Sequence, residues 1–131
     1  MTVTLSQIGL LRATRGFGDD LMVSETSGTE AALRAGREGP TTREHVYLNA
    51  NAGEDRRSFS CTLARQGQTR ITIFEVTRSL TQWSEDCVPS GTNGDSFSNT
   101  YYTDRSGRIW ASTQYLSDTS GPISIEVLQR N

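Results

Sequence analysis

The side chains of this protein that could do chemistry are one histidine, two cysteines, scattered carboxylates and a set of aromatics. His45 lies between Glu44 and Val46 in an alternating run. It reads as a partly exposed histidine on the polar face of a strand. One imidazole with Cys61 and Cys87 falls short of the four ligands of a structural zinc site, so neither a metal nor any other cofactor is expected. A nucleophile–base pair of His45 with Cys61 or Cys87 has no local sequence context to support it. The two cysteines form either a disulfide or two buried thiols. In an oxidising compartment a 61–87 bond would stabilise the fold by about 3 kcal/mol. A strand running between them would hold them too far apart.

The carboxylates include Asp20, Glu54, Asp55, Glu85, Asp86, Asp104 and Asp118. A glycosidase needs two of them facing each other across a cleft. No motif pairs them here, most fall in turns where acidic residues are common, and no catalytic residues are assigned. Trp83, Trp110, Tyr101, Tyr102 and Tyr115 could stack on sugar rings or pair across strands in a core. Trp110 is the candidate for exposure, because alternation puts it on one face with Arg108, Ser112 and Gln114. With Gly107 as a bulge residue, Tyr102 falls beside it across the ladder. Trp110, Tyr102 and Gln114 are thus the expected ligand-contact patch, offering a ring face and polar groups to a sugar.

These residues must be positioned by strands. The run from Phe97 to Leu116 alternates on both sides of Asp104-Arg105-Ser106-Gly107, a hairpin turn in which Gly107 supplies a positive φ. Arg57 to Ala64 alternates too, with Phe59, Cys61 and Leu63 inward. Gly67 is expected to close a hairpin into Thr69–Phe74. Arg43–Leu48, with Val46 and Leu48 on one face, Leu80–Glu85 and a last strand through Ile123, Ile125 and Val127 complete the series. Asn49–Gly53 and Pro89–Gly94 read as turns. Near the start, Val3 to Leu11 suggests two short strands or one bent one, and Leu21-Met22-Val23 another strand. Ser27–Gly36 reads as a short helix with Thr29 as N-cap and Gly36 as its stop. Phe59, Cys61, Leu63, Ile71, Ile73, Ile109, Ile123, Ile125 and Val127 are expected on the buried side of a single sheet. The glycines of Thr14–Leu21 mark a turn, and without a lysine or helix start they make no phosphate loop.

The bulk numbers agree with one all-β domain. The chain has 131 residues, 34% of them hydrophobic, and a net charge of −2. No basic footprint marks it for nucleic acid, and no apolar run of about 18 residues makes a transmembrane span. The opening Met-Thr-Val-Thr-Leu-Ser lacks the basic and apolar regions of a secretory signal.

Asn99-Thr100-Tyr101-Tyr102-Thr103-Asp104, Gly107, Ile109-Trp110, Ser112, Gln114-Tyr115 and Ile123-Ser124-Ile125-Glu126 together resemble the end of a bacterial lipoprotein family. This is the group 4 capsule and exopolysaccharide-production lipoprotein family, the YjbF/GfcB type. Tyr102 stands where the family usually has tryptophan, and Thr113 where it has arginine. Thr14-Arg15-Gly16-Phe17-Gly18-Asp19-Asp20-Leu21 resembles a second family stretch, and Glu85-Asp86-Cys87 its Glu-x-Cys. The resemblance covers the C-terminal two thirds of the family's usual length. It implies an antiparallel meander curled into a partly open barrel, with at most one short helix. It also implies a single domain, 1–131, lacking the family's signal and lipid-anchor segment, in a protein of the periplasm anchored to the outer membrane. The function implied is non-enzymatic support of exopolysaccharide or capsule production or export, with polysaccharide or other export proteins as partners. The alternatives are a lipid- or glycan-binding β module and a glycan-acting enzyme. An open greasy cavity would favour lipid, and two close carboxylates in a cleft would favour the enzyme.

Overall fold

A computed structural model describes residues 1–17, 20–48, 53–91 and 95–127. Strands β1 (Thr2–Leu5) and β2 (Leu11–Arg15) form a two-stranded sheet. Seven more strands make the main sheet: β3 (Leu21–Glu25), β4 (Gly39–Leu48), β5 (Glu54–Ile73), β6 (Val76–Pro89), β7 (Phe97–Thr103), β8 (Ile109–Ser117) and β9 (Gly121–Glu126). Their order in the sheet is their order in the chain, every pair is antiparallel, and the sheet curls into a half-barrel. The meander expected from the alternating runs is therefore present.

Helix α1 (Ser27–Ala35) and the segment from Ile8 to Leu10 fill the concave side. Thr29, Ala32 and Leu33, at helical i, i+3, i+4 spacing, form the buried face of α1. Ala32 and Leu33 pack with Ile8, Leu10, Leu63, Trp83, Tyr101 and Ile109. A second cluster joins Leu11, Leu21, Tyr47 and Leu116, and a third joins Phe59, Cys61 and Cys87. Apolar side chains thus fill the hollow that an acyl chain would need. Gly36 ends the helix at φ +66, as expected. The N-cap is Thr26, not Thr29, and its side chain makes no capping bond. Thr29 lies inside the helix, where its hydroxyl donates to Glu85 Oε2.

Two bulges change the expected facing of side chains. Between Arg65↔Trp83 and Gly67↔Gln82, one extra residue enters β5. Gly67, at φ +119, serves this bulge and closes no hairpin; the strand continues to Ile73. The parity change puts Ile71 and Ile73 on the face opposite Phe59, Cys61 and Leu63. Phe59, Cys61, Leu63, Ile73 and Ile109 are buried, whereas Ile71, Ile123, Ile125 and Val127 are half-buried. The last three are exposed to solvent on one side because β9 is an edge strand with its end at Glu126. The second bulge lies in β8, where Thr103 pairs with Ile109 and Tyr102 with Ala111, leaving Trp110 as the extra residue.

The β5–β6 connection turns through Phe74 and Glu75, both with positive φ (50° and 72°). β4 pairs with β5 only as far as Leu63, and β7 with β6 only from Thr81. From there to the tip the two strands form an arm without strand neighbours among the described residues, ending in a Phe74 that is 81% exposed. Positive φ in a non-glycine residue costs about 1–2 kcal/mol. Glu75→Gly should therefore raise stability by about 0.5–1 kcal/mol, after allowing for glycine's greater freedom when unfolded. Urea unfolding checks this, and a lower midpoint in the variant would contradict the turn geometry. The expected turns at 49–53 and 89–94 fall largely on residues 49–52 and 92–94, outside the described residues, as do 18–19 in the Thr14–Leu21 turn.

Candidate functional site

Alternation on β4 points Arg43, His45 and Tyr47 into the half-barrel, and on β6 it points Trp83, Glu85 and Cys87 to the same side. β7 adds Asn99 and Tyr101, and α1 adds Thr29. These side chains meet in one polar network. Arg43 Nη1 donates to Glu85 Oε1 at 2.6 Å, both side chains being at most 2% exposed. The same oxygen accepts Tyr101 Oη–H at 2.6 Å and Asn99 Nδ2–H at 2.9 Å, while Oε2 accepts Thr29 Oγ1–H at 2.7 Å. Asn99 Oδ1 accepts the Tyr115 backbone N–H at 2.7 Å, which extends the network to β8.

His45 is fully buried, not partly exposed on a polar face as alternation from Val46 suggests. Val46 is buried as well, so β4 is covered on both sides there, while Leu48 is exposed. Arg43 Nε–H donates to His45 Nε2 at 3.0 Å, which makes Nε2 the acceptor and leaves the proton on Nδ1. Nδ1 faces Tyr47 Oη at 3.2 Å, and Tyr47 in turn donates to the Leu116 carbonyl at 2.7 Å. The chain of bonds therefore has one direction, and a neutral ring is part of it.

Burial, followed by the charges of Arg43 and Arg57, holds the His45 pKa well below its usual value. Burial also pushes the Glu85 carboxyl up, but Arg43 and the bonds from Tyr101, Asn99 and Thr29 outweigh it and keep Glu85 below the ordinary range. Both folded values lie under the unfolded ones, so in each case the unfolded state takes up the proton first as pH falls. Stability should be flat above about pH 7 and begin to fall near pH 6.5, where an unfolded histidine titrates. The slope there approaches one proton, about 1.4 kcal/mol per pH unit. A second loss, from Glu85, begins below about pH 4.5. His45→Gln should remove the first slope and keep the second. An unchanged profile between pH 7 and 5 in that variant would refute the assignment.

Cys61 and Cys87 face each other across β5 and β6 and are joined by a disulfide. No strand lies between them. Their sulfurs and a Glu85 carboxylate oxygen lie within 4.8 Å of one another. The sulfurs are bonded together and both Glu85 oxygens accept hydrogen bonds, so this trio is committed to structure. The bond also leaves neither sulfur as a nucleophile for His45.

The expected ligand patch does not assemble as one face. Tyr101 is interior and pairs with Ser112, so the bulge at Trp110 turns Ser112 and Gln114 inward. Gln114 is buried, accepts the Leu11 N–H at 2.8 Å and donates to the Gly9 carbonyl at 2.9 Å, tying the first hairpin to β8. Tyr102 and Trp110 are half-buried. The Trp110 Nε1–H donates to Asp104 Oδ2 at 2.9 Å, and the Arg78 guanidinium lies 3.9 Å from the ring centroid. Gly107 has the expected positive φ, but its role is a close backbone approach to α1 and not the bulge.

The residues that carried the resemblance are thus the ones that join the sheet together: Asn99, Tyr101, Asp104, Gly107 and Gln114. The model of one family, described as group 4 capsule polysaccharide lipoprotein gfcB, YjbF, matches residues 1–128. The chain belongs to this family. Among solved structures, this YjbF-family chain is similar to the hypothetical lipoprotein YmcC from Escherichia coli (K12). The two superpose with a TM-score of 0.80 at 20% identity, covering 99% of this chain and 68% of the other. At that identity the likeness is one of fold. No curated protein matches the chain.

Sequence reasoning did not identify the Arg43–Glu85 pair. A signal existed: Glu85 alternates with Trp83 and Cys87, which places a charge among inward apolar positions. Long-range partners supply the rest, since Thr29, Arg43 and Tyr101 lie on three other elements.

Proposed function

We propose that this YjbF-family protein is a non-enzymatic component of the cell envelope that supports capsule or exopolysaccharide production or export. It would act in the periplasm, anchored to the outer membrane. The observation that carries this reading is the family match over residues 1–128. The engagement of the chain's densest group of reactive side chains supports it. Glu85 accepts four hydrogen bonds, Arg43 is paired with it, and the cysteines are joined, so this chemistry holds the fold. Among the described residues no helix is long and apolar enough to cross a membrane, which suits attachment through a lipid.

Deleting the gene should lower cell-surface polysaccharide, and returning the unaltered gene should restore it. The purified protein should leave the chain length of that polysaccharide unchanged. Unaltered polysaccharide in the deletion strain would overturn the role. Shortening of the polysaccharide by the pure protein would overturn its non-enzymatic character.

A further inference from the structure

A polar cleft lies between the base of the β5–β6 arm and the β7–β8 turn. Its volume is about 260 Å³, and Gln68, Ser79, Thr81, Thr103, Asp104 and Arg105 line it. We propose that this cleft binds a carboxylate-bearing sugar unit of a polysaccharide. The inference rests on the functional reading above and names the ligand class that goes with it.

The register builds the cleft floor. Gln68, Thr81 and Thr103 form one row across β5, β6 and β7, and Arg70 pairs with Ser79 in the adjacent row. Gln68 Nε2–H donates to Thr81 Oγ1 at 2.7 Å, and the Ser79 hydroxyl reaches Gln68 Oε1 at 3.4 Å. The Thr103 hydroxyl accepts the Trp83 Nε1–H at 3.0 Å. Thr81 and Thr103 each keep a hydroxyl proton that no described protein group accepts. Asp104 is fixed as an acceptor. Its Oδ1 takes bonds from the Ser106 N–H and hydroxyl at 2.8 and 2.6 Å, and its Oδ2 takes the Trp110 indole N–H. Those bonds hold its carboxyl below the usual range against the opposing effect of burial.

Every lining side chain is polar, which excludes an acyl chain. Oriented hydroxyls, an amide and a carboxylate suit a ring bearing hydroxyl groups, which must both donate and accept. Charge sets the class of sugar. Arg105 is exposed and has no acidic partner among the described residues, and Arg70, across from Ser79, has none either. Within the lining the Arg105 guanidinium is the one cationic group, and the Asp104 carboxylate, opposite in charge, is already taken up by bonds from Ser106 and Trp110. Guanidinium pairs with carboxylate through two parallel hydrogen bonds and is the side chain best fitted to that task. The volume lies just below the roughly 300–1,000 Å³ of drug-sized sites, so one ring enters and the rest of a polymer passes outside.

Both tryptophans of the chain hydrogen-bond side chains that line the cleft, so intrinsic fluorescence reports on occupancy directly. The purified protein is titrated with trigalacturonate and, separately, with maltotriose, a neutral trisaccharide. A saturable change with trigalacturonate, weakened by added salt and at least about tenfold tighter than with maltotriose, is expected. Arg105→Ala should weaken it by about tenfold or more, and Thr81→Val by several-fold, with melting temperatures unchanged. Absence of saturable binding, equal binding of maltotriose, or an unaltered affinity in Arg105→Ala would overturn the proposal. An Arg105→Ala protein that no longer binds yet fully restores polysaccharide in the deletion strain would also overturn it, while leaving the functional reading intact. Failure of the unaltered protein to restore polysaccharide would instead remove the functional reading.

Discussion

Gly107→Ala should destabilise this protein by at least about 3 kcal/mol, far more than an ordinary turn substitution. Gly107 has φ +89, a region that costs an L-residue about 1–2 kcal/mol. The larger part comes from space. A Cβ at this position would lie 2.6 Å from the Leu33 carbonyl oxygen and 2.7 Å from Arg34 Cα. Both are backbone atoms of α1, so no rotamer change relieves the contact. The helix must move away from the β7–β8 turn and open the cluster of Leu33, Trp83 and Ile109 beneath it. Gly121 is the control. It has φ +71 with no atom within 4 Å of an added Cβ, so Gly121→Ala should show only the backbone cost. Equal losses in the two variants, measured by urea unfolding, would show that the approach of the turn to the helix is unimportant.

Glu85→Ala should cost about 3–5 kcal/mol, the usual penalty for removing one member of a buried ion pair. Arg43 would remain buried without its counter-charge, while Asn99, Tyr101 and Thr29 would each lose an acceptor. The distinguishing measurement is the double variant Arg43→Met/Glu85→Leu, in which neither charge remains. It should be clearly more stable than Glu85→Ala, because apolar replacement of both partners removes the desolvation problem. A Glu85→Ala protein within about 1 kcal/mol of the unaltered one would mean that the network contributes little to the fold.

The contrast between what sequence reveals and what it conceals has a physical basis in this chain. Period-two alternation is local, so β7, β8 and the first half of β5 could be placed, and the Asp104–Gly107 turn uses residues with strong turn chemistry. The β5–β6 turn was misplaced because Phe74-Glu75 carries no such signal, while Gly67, which does, serves a bulge. A bulge inverts every side chain beyond it. One extra residue at Trp110 was enough to carry Gln114 from the expected surface patch into the interior. His45 and Glu85 were hidden for another reason. A polar residue on a strand is read as facing water unless a partner offsets the cost of burial, and here the partners are distant in sequence. Arg43 and Glu85 are 42 residues apart, and Thr29 and Glu85 are 56 apart.

The match between strand order and chain order has a consequence for how the protein folds. Each strand of the main sheet pairs with its immediate successor, β3 and β4 across α1 and the later strands directly, so the sheet can grow by adding one strand at a time. Cys61 and Cys87 meet within a single hairpin, so their oxidation requires only β5 and β6. Joining the two ends is different. The Leu11–Gln114 bond spans 103 residues and the Tyr47–Leu116 bond 69, and both need most of the sheet to exist already. Docking of the first hairpin onto β8 is therefore the late, entropically demanding event, and residues of that seam should have φ-values near zero while those of the central hairpin are high.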